Sequence, residues 1–559
     1  SGTGVGGLVA TAVGYSPLFP VFNPDGTYAD SVNVWGFGQT NQINPVAMAM
    51  LTKDKVKNMR LLANTYAEYH FFEGLSYRLS LAADINNFRR DFYRPSNLPT
   101  QGLVGPSVAT GTSSTSQFTN WLIENTINYS KTFGRHKVDF VAGYSAQKEV
   151  QERNTLTATN FPTNAVTTLN AGQIQSGNSN LQEWSLVSYL ARAQYNLDRK
   201  YLISASVRRD GSSRFGKNNK WAIFPSLSGA WIVSNEKFFE PLKFISNFKI
   251  RASYGLTGNF QIPNYGSVAQ LSNANSNYIL GNQSLVNGIS VTTPENPNLS
   301  WENTASTDAG IELGFFDNAL NFTFDIYRAN TTDLLLNLPV AGASGFNTYL
   351  QNIGAMTNNG IELGISYNKR WGNWSLEGNA NYTTNRNEVT KLGPSGASIV
   401  QTGGTGNTFY ITQIGEPISS YFVYNKIGIY KDAEDLAKSA KTTNLTKVGD
   451  FKFQDVNNDG KIDANDRTIV GNYLPDFTYG FSNTIRYKGI DFNIAIQGSQ
   501  GAEVMALAKR HLANVEGNFN GITKILDYYK SPSEPGNGQI NRANRLATGG
   551  NGIHVKLAR

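Results

Sequence analysis

Cysteine is absent from this chain of 559 residues, and histidine occurs only four times. Without cysteine, neither disulfides nor thiolate metal sites can hold the fold together. The histidines, His70, His136, His511 and His554, are too scattered for metal-ligand spacing. No Gly-x-Ser-x-Gly nucleophile motif is present either. Because nothing in the sequence marks a catalytic set, we expect a protein that is not an enzyme.

Long apolar runs and dense charge are missing as well. Hydrophobic residues make up 40% of the chain, and its mean hydropathy is −0.34. No stretch reaches the roughly 20 apolar residues that a transmembrane helix needs. A membrane location would therefore require β-strands, in which apolar and polar residues alternate. The net charge of +7 is spread along the chain without a Lys/Arg block, so no nucleic-acid partner is expected.

The sequence does contain sustained period-two alternation. Between Leu75 and Ile85 apolar residues alternate with mainly polar ones, and the pattern recurs at 361–367 and 490–496. Strands that cross a bilayer need about 9–11 residues, whereas soluble strands usually have about 5 or 6. The alternation predicts an all-β fold, a transmembrane antiparallel β-barrel. About 15 strands are predicted, at 57–71, 74–91, 117–132, 136–152, 183–197, 200–210, 220–234, 247–258, 303–316, 319–332, 352–370, 374–388, 477–487, 490–502 and 551–559.

Connection lengths alternate too. Short turns are predicted at 73–74, 134–135, 198–199, 317–318, 372–373 and 488–489, and the connections between these strand pairs are long and polar. Outer-membrane barrels show this asymmetry, with short periplasmic turns and long extracellular loops. We therefore predict a partial extracellular loop with helical segments at 1–56. An incomplete barrel is predicted at 57–559, with large extracellular loops at 259–302, 389–476 and 504–550.

The chain begins at Ser1 without a signal peptide and in the middle of a pattern. An odd number of antiparallel strands also leaves the first and last running the same way. Both features lead us to expect a fragment of a larger barrel.

Aromatic residues cluster beside the short turns. Rings with one apolar and one polar side collect at the headgroup level of a bilayer, so these residues predict a membrane-interface girdle. The alternative is ordinary β-propensity, because Tyr and Phe favour strands. The predicted girdle residues are Tyr69, Phe72, Tyr77, Tyr195, Tyr201, Phe315, Trp371, Trp374, Tyr487 and Phe492.

One segment carries the pattern of a calcium loop. Between Asp455 and Asp466, oxygen-bearing side chains occupy loop positions 1, 3, 5, 9 and 12, with Gly460 at position 6 and Ile462 expected to pack inward. The predicted structural Ca²⁺ ligands are Asp455, Asn457, Asp459, Lys461 through its carbonyl, Asp463 and Asp466. Asp466 stands where Glu is usual, and no clear helix precedes the loop. The alternative is a solvated turn rich in Asp and Asn.

Several motifs, taken in order, resemble the SusC/RagA-type outer-membrane transporters that depend on TonB. They are Phe19-Pro20-Val21-Phe22-Asn23-Pro24-Asp25-Gly26, Tyr66-Ala67-Glu68-Tyr69, Asn296-Pro297-Asn298-Leu299-Ser300-Trp301-Glu302, Asn352-Ile353-Gly354-Ala355-Met356-Thr357-Asn358-Asn359-Gly360-Ile361-Glu362, Gly449-Asp450, Pro475-Asp476-Phe477-Thr478-Tyr479-Gly480-Phe481 and Tyr487-Lys488-Gly489-Ile490-Asp491. The resemblance covers nearly the whole chain.

The resemblance implies a barrel of about 22 strands around an N-terminal plug. It also implies energy coupling to the TonB complex through a region absent from this chain, and a SusD-like surface lipoprotein as partner. Oligosaccharides or peptides would be the cargo. The outward face of the barrel would contact outer-membrane lipid. Polar residues facing the lumen would include Glu362, Asn379, Asn381, Asp491 and Asn493. The residues that bind substrate are unknown.

Two other functions are compatible with the residue pattern. A passive porin or secretion pore shares the barrel but needs no plug. A secreted, calcium-dependent glycan-binding protein or adhesin would need neither a membrane nor connections sorted by length.

Overall fold

Alternating residues form long strands, and fourteen of these pair in one antiparallel sheet in strict sequence order. A computed structural model describes residues 8–17, 19–29, 43–98, 108–272, 277–280, 284–346, 348–403, 409–506, 512–513, 515, 520–543 and 557–558. The sheet strands are β1 Lys53–Phe72, β2 Leu75–Arg94, β3 Thr110–Phe133, β4 His136–Thr159, β5 Gln173–Leu197, β6 Tyr201–Ser212, β7 Trp221–Ile232, β8 Ile245–Asn259, β9 Glu302–Phe315, β10 Leu320–Pro339, β11 Thr348–Trp371, β12 Trp374–Lys391, β13 Phe477–Tyr487 and β14 Ile490–Gln500.

The register gives the sheet one apolar face and one polar face. Residues directly opposite each other on paired strands share a face, and neighbours along a strand alternate. Across β8–β14 one row of register partners is Phe248, Leu313, Phe322, Ile365, Ala380, Phe481 and Ile496. The adjacent row on the other face is Lys249, Glu312, Thr323, Gly364, Asn381, Gly480 and Gln497. We call the apolar face outward and the polar face inward.

The same division holds in the first half of the sheet. One outward row across β2–β8 consists of Leu75, Tyr129, Phe140, Ala193, Ala205, Leu227 and Tyr254. An apolar outward surface over a polar lumen is the arrangement of a membrane barrel. The predicted all-β barrel architecture is therefore confirmed at the level of the sheet.

Connections are sorted by length between the two ends of the sheet, as predicted. One end carries the turns at 73–74, 134–135, 198–200, 316–319, 372–373 and 488–489 and the longer connection 233–244. The other end carries 95–109, 160–172, 213–220, 260–301, 340–347 and 392–476. By the usual asymmetry of outer-membrane barrels, these ends are periplasmic and extracellular respectively.

Several strands are longer than predicted at the extracellular end. β3, for example, begins at Thr110, although the alternation predicts a start at 117. Residues 110–117 are Thr, Gly, Ser and Gln, and such a run has no apolar period to detect. A strand that leaves the bilayer no longer needs an apolar face, so its backbone pairing continues where the sequence signal ends.

The strand count differs from the prediction by one. Of the predicted fifteenth strand at 551–559, only Leu557–Ala558 is described, and it pairs with Val504–Met505 in a separate two-stranded sheet. The remainder of that prediction lies outside the described residues. With fourteen strands, β1 and β14 run antiparallel to each other, so the argument from an odd strand number does not apply to the described sheet. They lie at opposite edges and are not paired with each other within the described residues.

Short elements lie outside this sheet. The α-helices are α1 Leu8–Gly14, α2 Pro45–Leu51 and α3 Ala433–Lys438, and no helix in the described part of the chain is long and apolar enough to cross a bilayer. The 3-10 helices are Leu169–Ala171, Val233–Asn235, Lys237–Phe239, Gly342–Ser344, Ala464–Asp466 and Thr523–Asp527. The further short strands are Gln270–Ser272, Asn277–Leu280, Ser284–Asn287, Ser290–Thr293, Ile399–Thr402, Phe409–Thr412, Ser420–Tyr424, Lys426–Ile429, Phe451–Phe453 and Arg467–Gly471.

Buried apolar clusters occur beneath the extracellular connections. One consists of Trp184, Leu186, Phe215, Phe224, Ile262, Leu299 and Trp301. Another lies within the 392–476 connection and its neighbours and consists of Ile429, Phe451, Phe453, Ile462 and Tyr529. The long stretch predicted as a polar loop therefore contains a small folded unit, with a four-stranded sheet and a core of its own.

Candidate functional site

The inward face of the sheet is polar, as expected for the wall of a water-filled lumen. Register pairing places all five predicted lumen residues on it: Glu362, Asn379, Asn381, Asp491 and Asn493. No apolar row interrupts this face between β8 and β14 near the periplasmic end. A hydrophilic solute would therefore meet hydrogen-bonding groups along this part of the wall.

An ion-pair network centred on Arg251 forms the most highly charged part of this wall. The guanidinium lies 3.0 Å from Asp308, 3.2 Å from Glu312 and 2.5 Å from Asp325. Lys249 lies 3.1 Å from Glu312. The strands β8, β9 and β10 supply these groups at neighbouring register positions, so the network also fixes their alignment. Sequence reasoning missed it because each charge looks like an ordinary inward residue until the register is known.

A groove of about 480 Å³ lies next to this network on the sheet. It is lined by residues of β4–β9, among them Asp139, Gln194, Ser204, Ser228, Arg251 and Asp308. Charges of both signs and several amide and hydroxyl groups thus converge in one shallow depression. Such a surface can hold a polar oligomer through hydrogen bonds without selecting one sign of charge.

All ten predicted girdle residues lie on the outward face. Tyr69 pairs with Tyr77, for example, and Trp371 pairs with Trp374, which in turn pairs with Tyr487. The rings of Trp374 and Tyr487 are 4.3 Å apart. Their common face and their common nearness to the short turns agree with a girdle, although their depth in a bilayer remains a prediction.

Sequence reasoning missed a second set of outward aromatics nearer the extracellular end. Tyr144 contacts Tyr189 at a ring distance of 5.4 Å, and Tyr189 stacks on Trp221 at 6.1 Å. Farther along the sheet, Tyr382 contacts Phe477 at 5.3 Å. Barrels carry aromatic belts at both membrane surfaces. These residues lie on different hairpins, so only the pairing register brings them together.

The Asp-rich loop is well ordered by its own hydrogen bonds. Asp466 is fully buried, and its two carboxylate oxygens accept from the backbone amides of Val456 and Asp463, each at 2.8 Å. Gly460 has the positive φ of +81° that the sharp turn requires, and Ile462 is buried as expected. Among the described residues no group of three or more His, Cys, Asp or Glu side chains could hold a metal ion. Calcium binding by this loop therefore stays a prediction.

A model of the TonB-dependent receptor-like β-barrel family matches residues 6–548. The chain belongs to the TonB-dependent receptor family. One relative is TonB-dependent receptor P3 of Formosa agariphila, 35% identical over 90% of this chain and 50% of that protein. Another is TonB-dependent receptor SusC of Bacteroides thetaiotaomicron, 30% identical over 56% of this chain and 31% of that protein.

Solved structures agree on the fold of this TonB-dependent receptor chain. The RagAB peptide transporter matches with a TM-score of 0.77 and 23% identity over 94% of this chain and 57% of that chain. The family match and the SusC relative confirm the resemblance to SusC/RagA-type receptors, and the protein belongs to the outer membrane. The chain spans about half the length of the curated relatives P3 and P26.

Residues of two motifs behind the resemblance hold one extracellular connection of the receptor in place. Asn352 exchanges hydrogen bonds with the backbone of Ser300, accepting at 2.9 Å and donating at 2.8 Å. Trp301 donates from its indole to the Lys220 carbonyl at 3.2 Å, and Leu299 is fully buried. These residues hold the 260–301 connection onto its neighbours. This structural role accounts for the motifs without any contact to cargo.

Proposed function

We propose that this chain forms most of the barrel of a TonB-dependent transporter that imports oligomeric nutrients, glycans or peptides. A SusD-like lipoprotein would capture cargo at the extracellular side, and the TonB complex would supply energy through a plug encoded outside these residues. The protein would not be an enzyme. The observation that carries the proposal is the two-faced sheet, whose outward face is apolar across β2–β14 and whose inward face is polar across β8–β14.

The unpaired sheet edges support a larger closed barrel. In hydrocarbon an exposed edge strand leaves backbone N–H and C=O groups without hydrogen-bond partners, at a cost of several kcal/mol for each group. β1 and β14 are such edges. We infer that strands from outside these residues pair with them and complete a wide lumen, which a polar oligomer could pass once the plug moves.

The lining favours hydrophilic cargo of some length. The network around Arg251 and the adjacent groove offer both anionic and cationic groups. Peptides and oligosaccharides both present repeated hydrogen-bonding groups that suit such a wall. The RagAB structures are described as those of a peptide transporter, and at their level of identity they support the fold only.

The uptake experiment separates active import from a passive pore. Cells that carry the full-length receptor would be given fluorescent oligosaccharides and oligopeptides, and periplasmic uptake would be measured. We expect uptake of one class to stop when a protonophore is added or TonB is deleted. Uptake that continues unchanged under both treatments would favour the passive pore.

The lipoprotein partner has its own test. We expect the product of an adjacent SusD-like lipoprotein gene to co-purify with the tagged receptor from detergent-solubilised outer membranes. A receptor that transports its cargo at full rate after deletion of that gene would contradict this part of the proposal. A protein recovered in the culture medium without detergent would instead favour the secreted adhesin.

A further inference from the structure

The connection at 233–244 differs from the other connections at the short-turn end. The others are tight turns, but this one contains two 3-10 helices, Val233–Asn235 and Lys237–Phe239, and a run rich in Phe and Lys. The side chain of Asn235 and the backbone of Phe244 tie the segment to a neighbouring turn on each side. Asn235 donates to the Arg199 carbonyl at 2.8 Å, and Phe316 donates to the Phe244 carbonyl at 3.0 Å. The segment is thus held in one place along the periplasmic rim.

Three aromatic residues of this segment contact rings on the outward face. Phe238 makes an edge-on contact with Trp231 at 6.4 Å, and Phe239 contacts Phe248 at 5.8 Å. Phe244 stacks on Phe315 at 6.4 Å. Trp231, Phe248 and Phe315 all belong to outward rows by their register. The segment therefore folds over the lipid side of the sheet and away from the lumen.

Glu236 fixes the segment against the same side. Its carboxylate accepts from the Tyr201 hydroxyl at 2.6 Å, from Lys200 Nζ at 2.8 Å and from the Trp231 indole at 3.2 Å. Tyr201 and Trp231 are themselves outward register partners. One carboxylate thus links the β5–β6 turn, the end of β7 and the connection, and it does so at the level of the predicted girdle.

Several large apolar side chains of the segment are left uncovered. Phe238 is 66% exposed, Phe244 52% and Leu242 42%. Lys237 and Lys243 are exposed beside them. A ridge of exposed aromatics with flanking lysines matches elements that lie in the membrane interface, where rings enter the headgroup boundary and ammonium groups contact lipid phosphate. The ridge is continuous with the outward apolar face that the bilayer already covers.

We propose that residues 233–244 form a lipid-binding element that inserts Phe238, Leu242 and Phe244 into the periplasmic leaflet. Lys237 and Lys243 contact the phosphates of its phospholipids. The element fixes the depth of β7 and β8 in the membrane, in contrast to the simple turns on either side.

Site-directed spin labelling tests this placement directly, because the chain contributes no cysteine of its own. Phe238→Cys and Phe244→Cys would be introduced separately into the full-length receptor, labelled and reconstituted into phosphatidylethanolamine/phosphatidylglycerol vesicles. The collision rate of the spin label with oxygen, which partitions into lipid, would be compared with its collision rate with the water-soluble complex nickel(II) ethylenediaminediacetate (NiEDDA). We expect both sites to show high oxygen access and NiEDDA access several-fold lower than at Glu240→Cys, an exposed residue of the same segment. Ile365→Cys, on the outward face, serves as the lipid reference.

Each alternative gives a different signal. NiEDDA access at 238 and 244 equal to that at 240 would place the ridge in water and overturn the proposal. Low access to both reagents would mean that protein covers the ridge, which also overturns it. The lysines are tested by comparing vesicles that contain phosphatidylglycerol with vesicles of phosphatidylcholine alone. NiEDDA access at Phe244→Cys should be lower in the phosphatidylglycerol vesicles, because the lysines are drawn to the anionic lipid. The double variant Lys237→Gln/Lys243→Gln should lose this difference. A difference in NiEDDA access that is the same in the double variant would contradict the contact between these lysines and lipid phosphate.

Discussion

The same kinds of side chain are exposed in the large sheet and buried in the 392–476 connection. In the sheet, Ile365 is 42% exposed and Phe481 37%, although both are apolar. In the connection, Phe451 and Phe453 are each 2% exposed and Ile462 6%. Both regions are built from β-strands with alternating residues. Their difference shows that the sheet is completed by lipid, whereas the connection has to supply its own core.

Charged groups are also placed differently in the two regions. Inward charges of the sheet, such as Lys249 and Glu312, are partly open to solvent and meet one another across strands. The connection instead buries Asp450 completely and pairs it with Arg542 at 2.7 Å.

Removing the Asp450 carboxylate should unfold the connection locally. Asp450→Ala leaves Arg542 partly buried without its partner and removes the acceptor for the Lys447 amide, which donates at 2.8 Å. Losing one partner of a buried pair costs about 3–5 kcal/mol. Hydrogen exchange should therefore accelerate in 426–453 while β11 and β12 keep their protection. The control is Glu434→Ala, which breaks the exposed pair of Glu434 with Lys438 and should cost less than about 1 kcal/mol. Equal effects of the two variants would contradict the contrast.

A charge on the outward face should destabilise the sheet, and one on the inward face should not. Ile365 and Ser366 are neighbours on β11 that face opposite ways. Ile365→Arg should lower the free energy of folding into lipid vesicles by about 2–4 kcal/mol, because arginine near the bilayer midplane loses its hydration. Ser366→Arg should change it by less than about 1 kcal/mol, because that side chain faces the lumen. Denaturant titration in vesicles measures both values. A larger effect at 366 than at 365 would reverse our assignment of the faces.

Local periodicity predicted the sheet well because strand pairing follows a simple rule. Fourteen strands were placed in order, and Tyr201 and Trp374 lie beside short turns as predicted. The fold of the 392–476 connection was missed. Its strands are as short as the three residues of Phe451–Phe453, too few to establish a period against polar surroundings.

The candidate site was harder to predict than the fold. Glu362 could be placed on the inward face from its neighbours alone, but the network around Arg251 joins β8 to the β9–β10 hairpin across the long 260–301 connection. The pairing that brings Arg251 to Asp308 depends on register, and alternation fixes only which face a residue takes, whereas a long connection leaves the exact partner open. Contacts to the proposed cargo would also involve the extracellular connections, which have no repeating pattern.

Calcium should stabilise the folded connection and leave the sheet unchanged, if the Asp-rich loop binds it. Ca²⁺ at about 100 times its dissociation constant would add about 2.7 kcal/mol to local stability. Hydrogen exchange in 455–470 should slow on adding Ca²⁺ and recover with EGTA, and Asp459→Asn should weaken the response. Asp432→Asn, which alters the cap of α3 in the same connection, is the matched control. Identical exchange with and without Ca²⁺ would favour the solvated turn.

The smallest effect expected is a pH dependence confined to the periplasmic rim. Hydrogen bonds from Lys200, Tyr201 and Trp231 lower the pKa of Glu236 to about 2 from its ordinary value of 4.5. A carboxyl with a lowered pKa in the folded state contributes its full stability above the ordinary value and loses it as pH falls towards about 2. A spin label at Phe244→Cys should therefore keep its mobility from pH 7 to about pH 5 and become more mobile at lower pH. With Glu236→Gln added, the label should already be mobile at neutral pH, and its difference from the receptor with Glu236 intact should shrink on acidification. With Glu240→Gln added instead, the label should behave as it does with both glutamates intact. If the connection loosens at neutral pH in neither glutamate variant, Glu236 does not hold it, and the aromatic contacts alone fix the segment on the lipid side of the sheet.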